Sequence, residues 1–504
     1  MNNVLQYLEK TAAAMPDKLA CVDEHRSYRF EQLEQLARSI GTALSYFIAP
    51  REPVAVYLEQ SGAALAAFLG TVYAGGFYVS FNTELPETRL RQIQSVLGAR
   101  CVITDRAHQK TMEQLFPQHA ILLVEKLCSV SPEEDRLAEI RAGMIDTDPL
   151  YANFTSGSTG VPKGVVISHR SVLDFIDPFT DIFALTAQDK LANQAPFDFD
   201  VSVKDIYSCL KTGATLVIVP RRLFSRPKEL VDYLCQQEIT TMIWAVSALC
   251  LISTLHGLDY RTPETVRKVL FSGEVMPLKH LRQWMDKLPQ AQFVNLYGPT
   301  EITCNCTYHI LDRQRDYSQG LPIGQPFPNE EVFLLDEADQ EIREPDVVGE
   351  ICVRGTALAL GYYNAPEQTA AAFLPDPRTP QCPQRIYRTG DLGRLSRDGE
   401  FFYRGRKDFQ IKHLGHRVEL EEIERAIAAF PQVERCCCIF DGEKQKIRGY
   451  YIGQMDATAL RSQLREQLPA FMVPNTLAQV PDFPLTKNGK TDRRKLLEGG
   501  WERV

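Results

Sequence analysis

The 504-residue chain has room for roughly three structural units. Its 44% hydrophobic and 24% charged residues exclude a disordered chain, and a formal charge of −8 offers no basic excess for nucleic acid or an anionic membrane. The 13 cysteines are scattered and lack paired C-x-x-C spacing. That argues against a disulfide scaffold or a zinc site and for the reduced thiols of a cytoplasmic protein.

In chain order, an amphipathic helix is predicted over 30–44 and a strand over 54–57. From Gln60 to Thr83 no residue is charged, a length that could span a bilayer. The Gly75-Gly76 pair instead reads as a turn between a buried helix, 61–73, and a buried strand, 77–81, so no membrane insertion is expected. A helix over 86–96 and strands at 101–104 and 215–219 continue an alternation that predicts an α/β architecture with largely parallel sheets. From about residue 320 the texture turns to short strands, as in 349–355 and 399–403. Beyond Lys407-Asp408 comes a helical pattern over 418–430. Strand-like runs at 436–440 and 448–452 and a helix over 457–468 complete a compact α+β unit. Cys436, Cys437 and Cys438 fall in a strand, where neighbours face opposite ways.

The richest segment is Phe154-Thr155-Ser156-Gly157-Ser158-Thr159-Gly160-Val161-Pro162-Lys163-Gly164. Four hydroxyls, three glycines and a lysine offer donors and charge to phosphate oxygens. It is not a P-loop, because Pro162 stands where the second glycine would be. Further on come Asn295-Leu296-Tyr297-Gly298-Pro299-Thr300-Glu301, Tyr387-Arg388-Thr389-Gly390-Asp391, Gly405-Arg406-Lys407-Asp408 and Pro484-Leu485-Thr486-Lys487-Asn488-Gly489-Lys490.

These five motifs, in this order, resemble those of the adenylate-forming superfamily: acyl-CoA synthetases, luciferases and the amino-acid adenylation domains of nonribosomal peptide synthetases. The resemblance implies an α/β fold. A large N-terminal region (1–407), of two α/β subdomains and a small β-rich one, binds ATP and substrate; a small mobile α+β C-terminal cap (408–504) follows. It implies ATP with Mg²⁺. Thr155 and Ser156 would meet the β/γ-phosphates, with Lys163 as added charge and Gly157, Ser158, Thr159 and Gly160 in the same ATP-binding loop; Thr300 would meet the α-phosphate and Glu301 the metal. Gly273, Asn295 and Tyr297 would meet adenine, and Glu274, Leu296, Gly298 and Pro299 would also belong to the ATP site. Asp391 would take the ribose hydroxyls, with Tyr403 and Arg406 beside it, and Lys490 would be the catalytic lysine. Asp408 would be the hinge and Gly415 would line a thioester channel. His413 and His416 form no metal site with any nearby ligand.

Phe197-Asp198-Phe199-Asp200-Val201-Ser202 resembles the motif in which a carboxylate, here Asp200, pairs with a substrate α-ammonium. The alternative is that Asp200 caps the helix after it. The family of D-alanine–carrier protein ligases is similar over 193–197, 205–207, 272–277 and 408–412. It has a cysteine where Ser272 stands, an apolar residue where Lys204 stands, and a Pro-containing turn where Trp244-Ala245-Val246-Ser247 stands. By resemblance the amino-acid pocket comprises Asp200, Val201, Lys204, Ile243, Leu270, Ser272, Leu296, Cys304, Asn305 and Lys490. Lys204 either enters the pocket and meets an acidic or β-amino acid, or pairs with Asp205 or Asp198 outside it. Because lysines are by default exposed, a small amino acid such as Ala, Ser, Gly or Cys is expected.

No Gly-Gly-x-Ser carrier signature occurs in these residues, so the expected enzyme is a stand-alone, monomeric amino-acid ligase. It would pass its product to the phosphopantetheine of a separate carrier protein. A CoA-dependent acyl synthetase and a catalytically silent scaffold are the alternatives.

Overall fold

The computed structural model describes residues 1–157, 160–442, 444–485 and 491–499, which divide into two compact units. The first comprises Met1–Thr83, Leu97–Asn153 and Gly164–Lys407, and the second Glu84–Val96, Phe154–Lys163 and Asp408–Val504. The second unit therefore takes in two segments that precede the 407/408 boundary expected from sequence.

A nine-stranded sheet dominates the first unit. Six of its strands are parallel, in the spatial order Gln292–Tyr297, Lys268–Ser272, Thr241–Ala245, Lys190–Asn193, Thr215–Ile218 and Leu19–Val22. Antiparallel strands close both edges. The strands alternate between two apolar layers, as a side-chain period of two requires. Ile243, Leu270, Val294 and Leu296 enter one core, while Met242, Trp244, Val269, Phe271 and Phe293 enter the other. Helices Pro227–Gln236, Val246–Thr254 and Leu278–Lys287 cover the latter face.

The larger core joins this sheet to a seven-stranded one through helices Phe30–Leu44, Gly62–Tyr73, His169–Ile182 and Val201–Thr212. Helix Gly62–Tyr73 and strand Phe77–Ser80 occupy the uncharged stretch, with Ser61 capping the helix through the Ala64 N–H. Among the described residues no helix is long and apolar enough to cross a membrane. A six-stranded antiparallel sheet holds Val348–Gly355, Arg385–Leu395 and Phe401–Arg406.

In the second unit, strands Val433–Asp441 and Lys446–Gly453 pair antiparallel, and Thr476–Gln479 adds in parallel. Helices Leu420–Ala428 and Ala457–Gln467 pack there. Cys436 and Cys438 line this core while Cys437 faces a second cluster, and all 13 cysteines are free thiols. Hairpin Gln410–His413/His416–Glu419 turns on Leu414 and Gly415, both left-handed at φ +52° and +82°. That two-residue turn is what a glycine at 415 permits. The His416 ring stacks on Phe471 with centroids 3.8 Å apart, and His413 meets the Phe440 ring edge-on.

Candidate functional site

Strand register builds the first half of the site. Asp391 lies opposite Arg406 on adjacent antiparallel strands, and the guanidinium donates to Asp391 Oδ1 at 2.7 Å. From the end of strand Gln292–Tyr297, the Tyr297 hydroxyl donates to Oδ2 at 2.6 Å. The Thr389 hydroxyl receives the Asp391 N–H at 3.0 Å and donates to Ile351 O. Burial, and then the adjacent Asp391 charge, hold the Tyr297 phenol well above its usual pKa, so it remains a donor. Tyr403 lies beside it, ring centroids 6.3 Å apart. Asn295 is buried, its amide donating to Pro322 O at 2.8 Å.

After Tyr297 the chain doubles back. A Cβ on Gly298 would sit 2.5 Å from Asn305 Cα and 2.8 Å from Cys304 O, so only glycine admits this approach. Thr300, Glu301 and Ile302 form a 3₁₀ turn. Thr303 and Cys304 follow at φ +53° and +77°, a strained pair for side-chain-bearing residues. The turn is tied down by Thr303 Oγ1 donating to Ala357 O and by the Ala359 N–H donating to Glu301 O. The Glu301 carboxylate is fully buried, and the Tyr362 hydroxyl donates to its Oε1 at 2.7 Å.

Several of the expected amino-acid pocket residues lie on neighbouring strands and segments. Ile243 pairs in register with Leu270, Ala245 with Ser272, and Leu270 with Val294. Ile243, Leu270 and Leu296 face the same core as helix Val201–Thr212. Asp200 precedes that helix, with Val201 its first residue. Its side chain makes no capping hydrogen bond, so the helix-cap alternative fails. The Cys304 thiol donates to Asp200 O at 2.8 Å, and burial holds that thiol well above its usual pKa. Lys204 corrects the expectation of an exposed lysine: it is wholly buried, and its ammonium donates to Asn305 Oδ1 at 2.6 Å and Ser272 Oγ at 3.3 Å. Helix phase explains the difference. Lys204 follows Asp200 by four residues and shares its face, whereas Asp205 turns about 100° away. Asp205 instead accepts from the Asn193 amide at 2.8 Å.

Other expected residues fall in the second unit. Thr155 Oγ1 is buried with no hydrogen-bond partner among the described residues. The Ser156 hydroxyl, expected on phosphate, donates to Arg417 O at 2.8 Å. Arg425 donates to Gly157 O, and Gly160 has φ +82°. Lys163 opens strand Lys163–Ser168. Glu422 pairs with buried Arg89 at 2.6 Å; burial raises its carboxyl pKa despite that partner. Asp408 accepts from the Gln410 N–H at 3.1 Å. In the first unit, Gly273 and Glu274 follow strand Lys268–Ser272. Ser158, Thr159 and Lys490 lie outside the described residues.

Family models for AMP-binding enzymes and for their C-terminal domain match residues 8–363 and 422–490. The chain belongs to the AMP-binding enzyme family. Surfactin synthase subunit 1 of Bacillus subtilis (strain 168) is 31% identical over 502 residues, which cover 98% of this chain and 14% of that protein. Tyrocidine synthase 1 of Brevibacillus parabrevis is 30% identical, over 98% of this chain and 45% of that protein. The chain thus spans less than half the length of the curated relatives it matches. The crystal structure of IdnL1 matches with a TM-score of 0.84 at 29% identity, covering 96% of this chain and 98% of that one. These matches bear out the adenylate-forming resemblance and the α/β fold with a small C-terminal domain.

For an AMP-binding enzyme the donor set fits its expected small molecules. Mg²⁺ is commonly held by one or two carboxylates plus substrate phosphates. Buried Glu301, oriented by Tyr362, fits that pattern; among the described residues no group of three or more potential ligands would build a cage without the nucleotide. Asp391 holds two protein donors and, with about four lone-pair sites, keeps acceptor capacity for hydroxyls. Sequence reasoning missed Tyr362. It comes from the two-residue strand Gly361–Tyr362, 61 residues after Glu301, and no local spacing marks it.

Proposed function

We propose that this AMP-binding enzyme activates an amino acid with ATP and transfers the acyl group to the phosphopantetheine thiol of a carrier protein. The observation that carries this reading is Asp200: a buried carboxylate at a helix start whose side chain makes no capping hydrogen bond, its backbone carbonyl held by the Cys304 thiol. A substrate α-ammonium would meet such a carboxylate in a charge-assisted hydrogen bond. A structural neighbour at 28% identity, titled a nonribosomal peptide synthetase, supports the same class.

In the first step a substrate carboxylate oxygen attacks the α-phosphorus, the bond to the bridging oxygen breaks, and pyrophosphate leaves. Both reactants are anionic, so the site must offset their repulsion. Asp391, held by Tyr297 and Arg406, orients the ribose. Thr300 donates to the α-phosphate, Thr155 and Lys163 meet the outer phosphates, and Lys490 stabilises charge between carboxylate and phosphate. Mg²⁺, held by Glu301, would offset phosphate charge when bound. In the second step the thiolate attacks the acyl carbon, the bond to AMP breaks, and a thioester forms. Asp408 is the hinge for the change between steps, and Gly415 leaves room for the pantetheine arm.

ATP–pyrophosphate exchange tests the reading. Exchange is expected with amino acids and not with the matching acids lacking an amine; exchange supported equally by the latter contradicts it.

A further inference from the structure

The Asp391 carboxylate stands on an interrupted stretch of sheet. Strands Val348–Gly355 and Arg385–Leu395 pair antiparallel, but between the pairs Glu350–Leu392 and Cys352–Arg388 one residue, Ile351, faces three: Thr389, Gly390 and Asp391. Bulges of this kind re-aim side chains beside active sites, and they leave backbone groups that the ladder no longer pairs. Here those groups find other partners. The Thr389 carbonyl accepts from Arg406 at 3.2 Å, and the Gly390 carbonyl accepts from the Lys407 N–H at 2.9 Å. The Asp391 N–H donates to the Thr389 hydroxyl. The Gly390 N–H donates to Oε1 of Glu350 at 3.2 Å.

Glu350 is buried, and its other oxygen is where two cations meet. Arg388 donates to Oε2 through Nε at 2.9 Å and through Nη2 at 2.6 Å, and Lys407 Nζ donates to it at 3.2 Å. Arg388 precedes the bulge, and Lys407 follows strand Phe401–Arg406. One carboxylate thus joins its own strand to the two that carry Asp391 and Arg406. Replacing a buried ion pair by apolar residues is often neutral for stability, so stability alone does not account for one beside a binding carboxylate. Tyr297 and Arg406 fix the Asp391 side chain, whereas Glu350 fixes the backbone from which it projects. We propose that Glu350 is a positioning residue for the nucleotide: by holding Arg388, Gly390 and Lys407 it aims Asp391 at the ribose hydroxyls. This deepens the reading above and rests on its assignment of the ribose to Asp391.

The test measures the affinities of ATP and 2′-deoxy-ATP, each with Mg²⁺, for the full chain by calorimetry. Wild type is expected to prefer ATP by about tenfold, the value of one hydrogen bond from a hydroxyl to a charged group. Glu350→Gln keeps the size and an acceptor oxygen but loses the charge that both cations meet. It is expected to cut the preference to about threefold or less, and to change nothing further in an Asp391→Asn background, because a residue acting through another is not additive with it. A preference retained in folded Glu350→Gln overturns the proposal and leaves the ribose assignment standing. Equal affinities for the two nucleotides in wild type overturn both. Hydrogen exchange at the Gly390 amide of ligand-free wild type carries the test where the variant does not fold: protection is expected, and exchange at the rate of an unstructured amide overturns the proposal.

Discussion

Tyr297 donates its hydroxyl to Asp391 Oδ2 at 2.6 Å, from a strand of the nine-stranded sheet to a strand of the antiparallel one. With Arg406 on Oδ1, the carboxylate is held from both sides. Its rotamer is thus set before any ligand arrives, which spares ordering cost on binding. Tyr297→Phe removes one of the two holds and keeps the ring. The KM for ATP is expected to rise about tenfold, the value of one hydrogen bond to a charged group. The KM for the amino acid should stay unchanged, since Asp391 does not reach that pocket in the proposed mechanism. Steady-state exchange kinetics with each substrate varied check this.

Tyr362 acts on Glu301 as Tyr297 acts on Asp391. Tyr362→Phe removes the hydroxyl that donates to Glu301 Oε1 within a buried turn. Partners that orient a metal ligand are commonly worth about 10–100-fold in metal affinity. The half-saturating Mg²⁺ concentration for exchange is expected to rise by about tenfold, with the protein still folded. Titrating Mg²⁺ at saturating ATP separates this from a loss of nucleotide affinity.

Asp205 makes stability depend on pH. Its folded pKa of about 8 lies above the ordinary carboxyl value of 3.8, chiefly through burial. A raised folded pKa means that the native state holds the proton more tightly than the unfolded chain does. Its contribution is therefore present below the ordinary value and declines as pH rises towards the folded one. Asp205→Asn cannot ionise. The melting temperature of the variant relative to wild type is expected to increase between pH 5 and pH 8, from scans at matched ionic strength. A difference constant over that range would contradict the assignment.

Much of this molecule is readable along the chain because its signals are local. The period of helix Phe30–Leu44, the glycine turn after helix Gly62–Tyr73 and the phosphate-type loop each occupy one short segment. Hence their positions are legible. Lys204 was not, because spacing says which residues share a helix face and not what that face meets. Only the pairing of strand Thr241–Ala245 with Lys268–Ser272, and the fold-back at Gly298, bring Ser272 and Asn305 to the ammonium. Tyr362 escapes for the same reason: its partner is distant in sequence and meets it only once the chain is folded. The Ser156–Arg417 hydrogen bond depends on contacts across 261 residues that no motif encodes.

The account depends most directly on Asp200 reading the α-ammonium. The decisive measurement is the ratio of kcat/KM for the preferred amino acid to that for its analogue lacking the amine, in wild type and in Asp200→Asn. The wild-type ratio is expected to fall by about 100-fold or more in the variant, as a charge-assisted contact to the ammonium is lost. A ratio unchanged by the substitution would contradict the central claim.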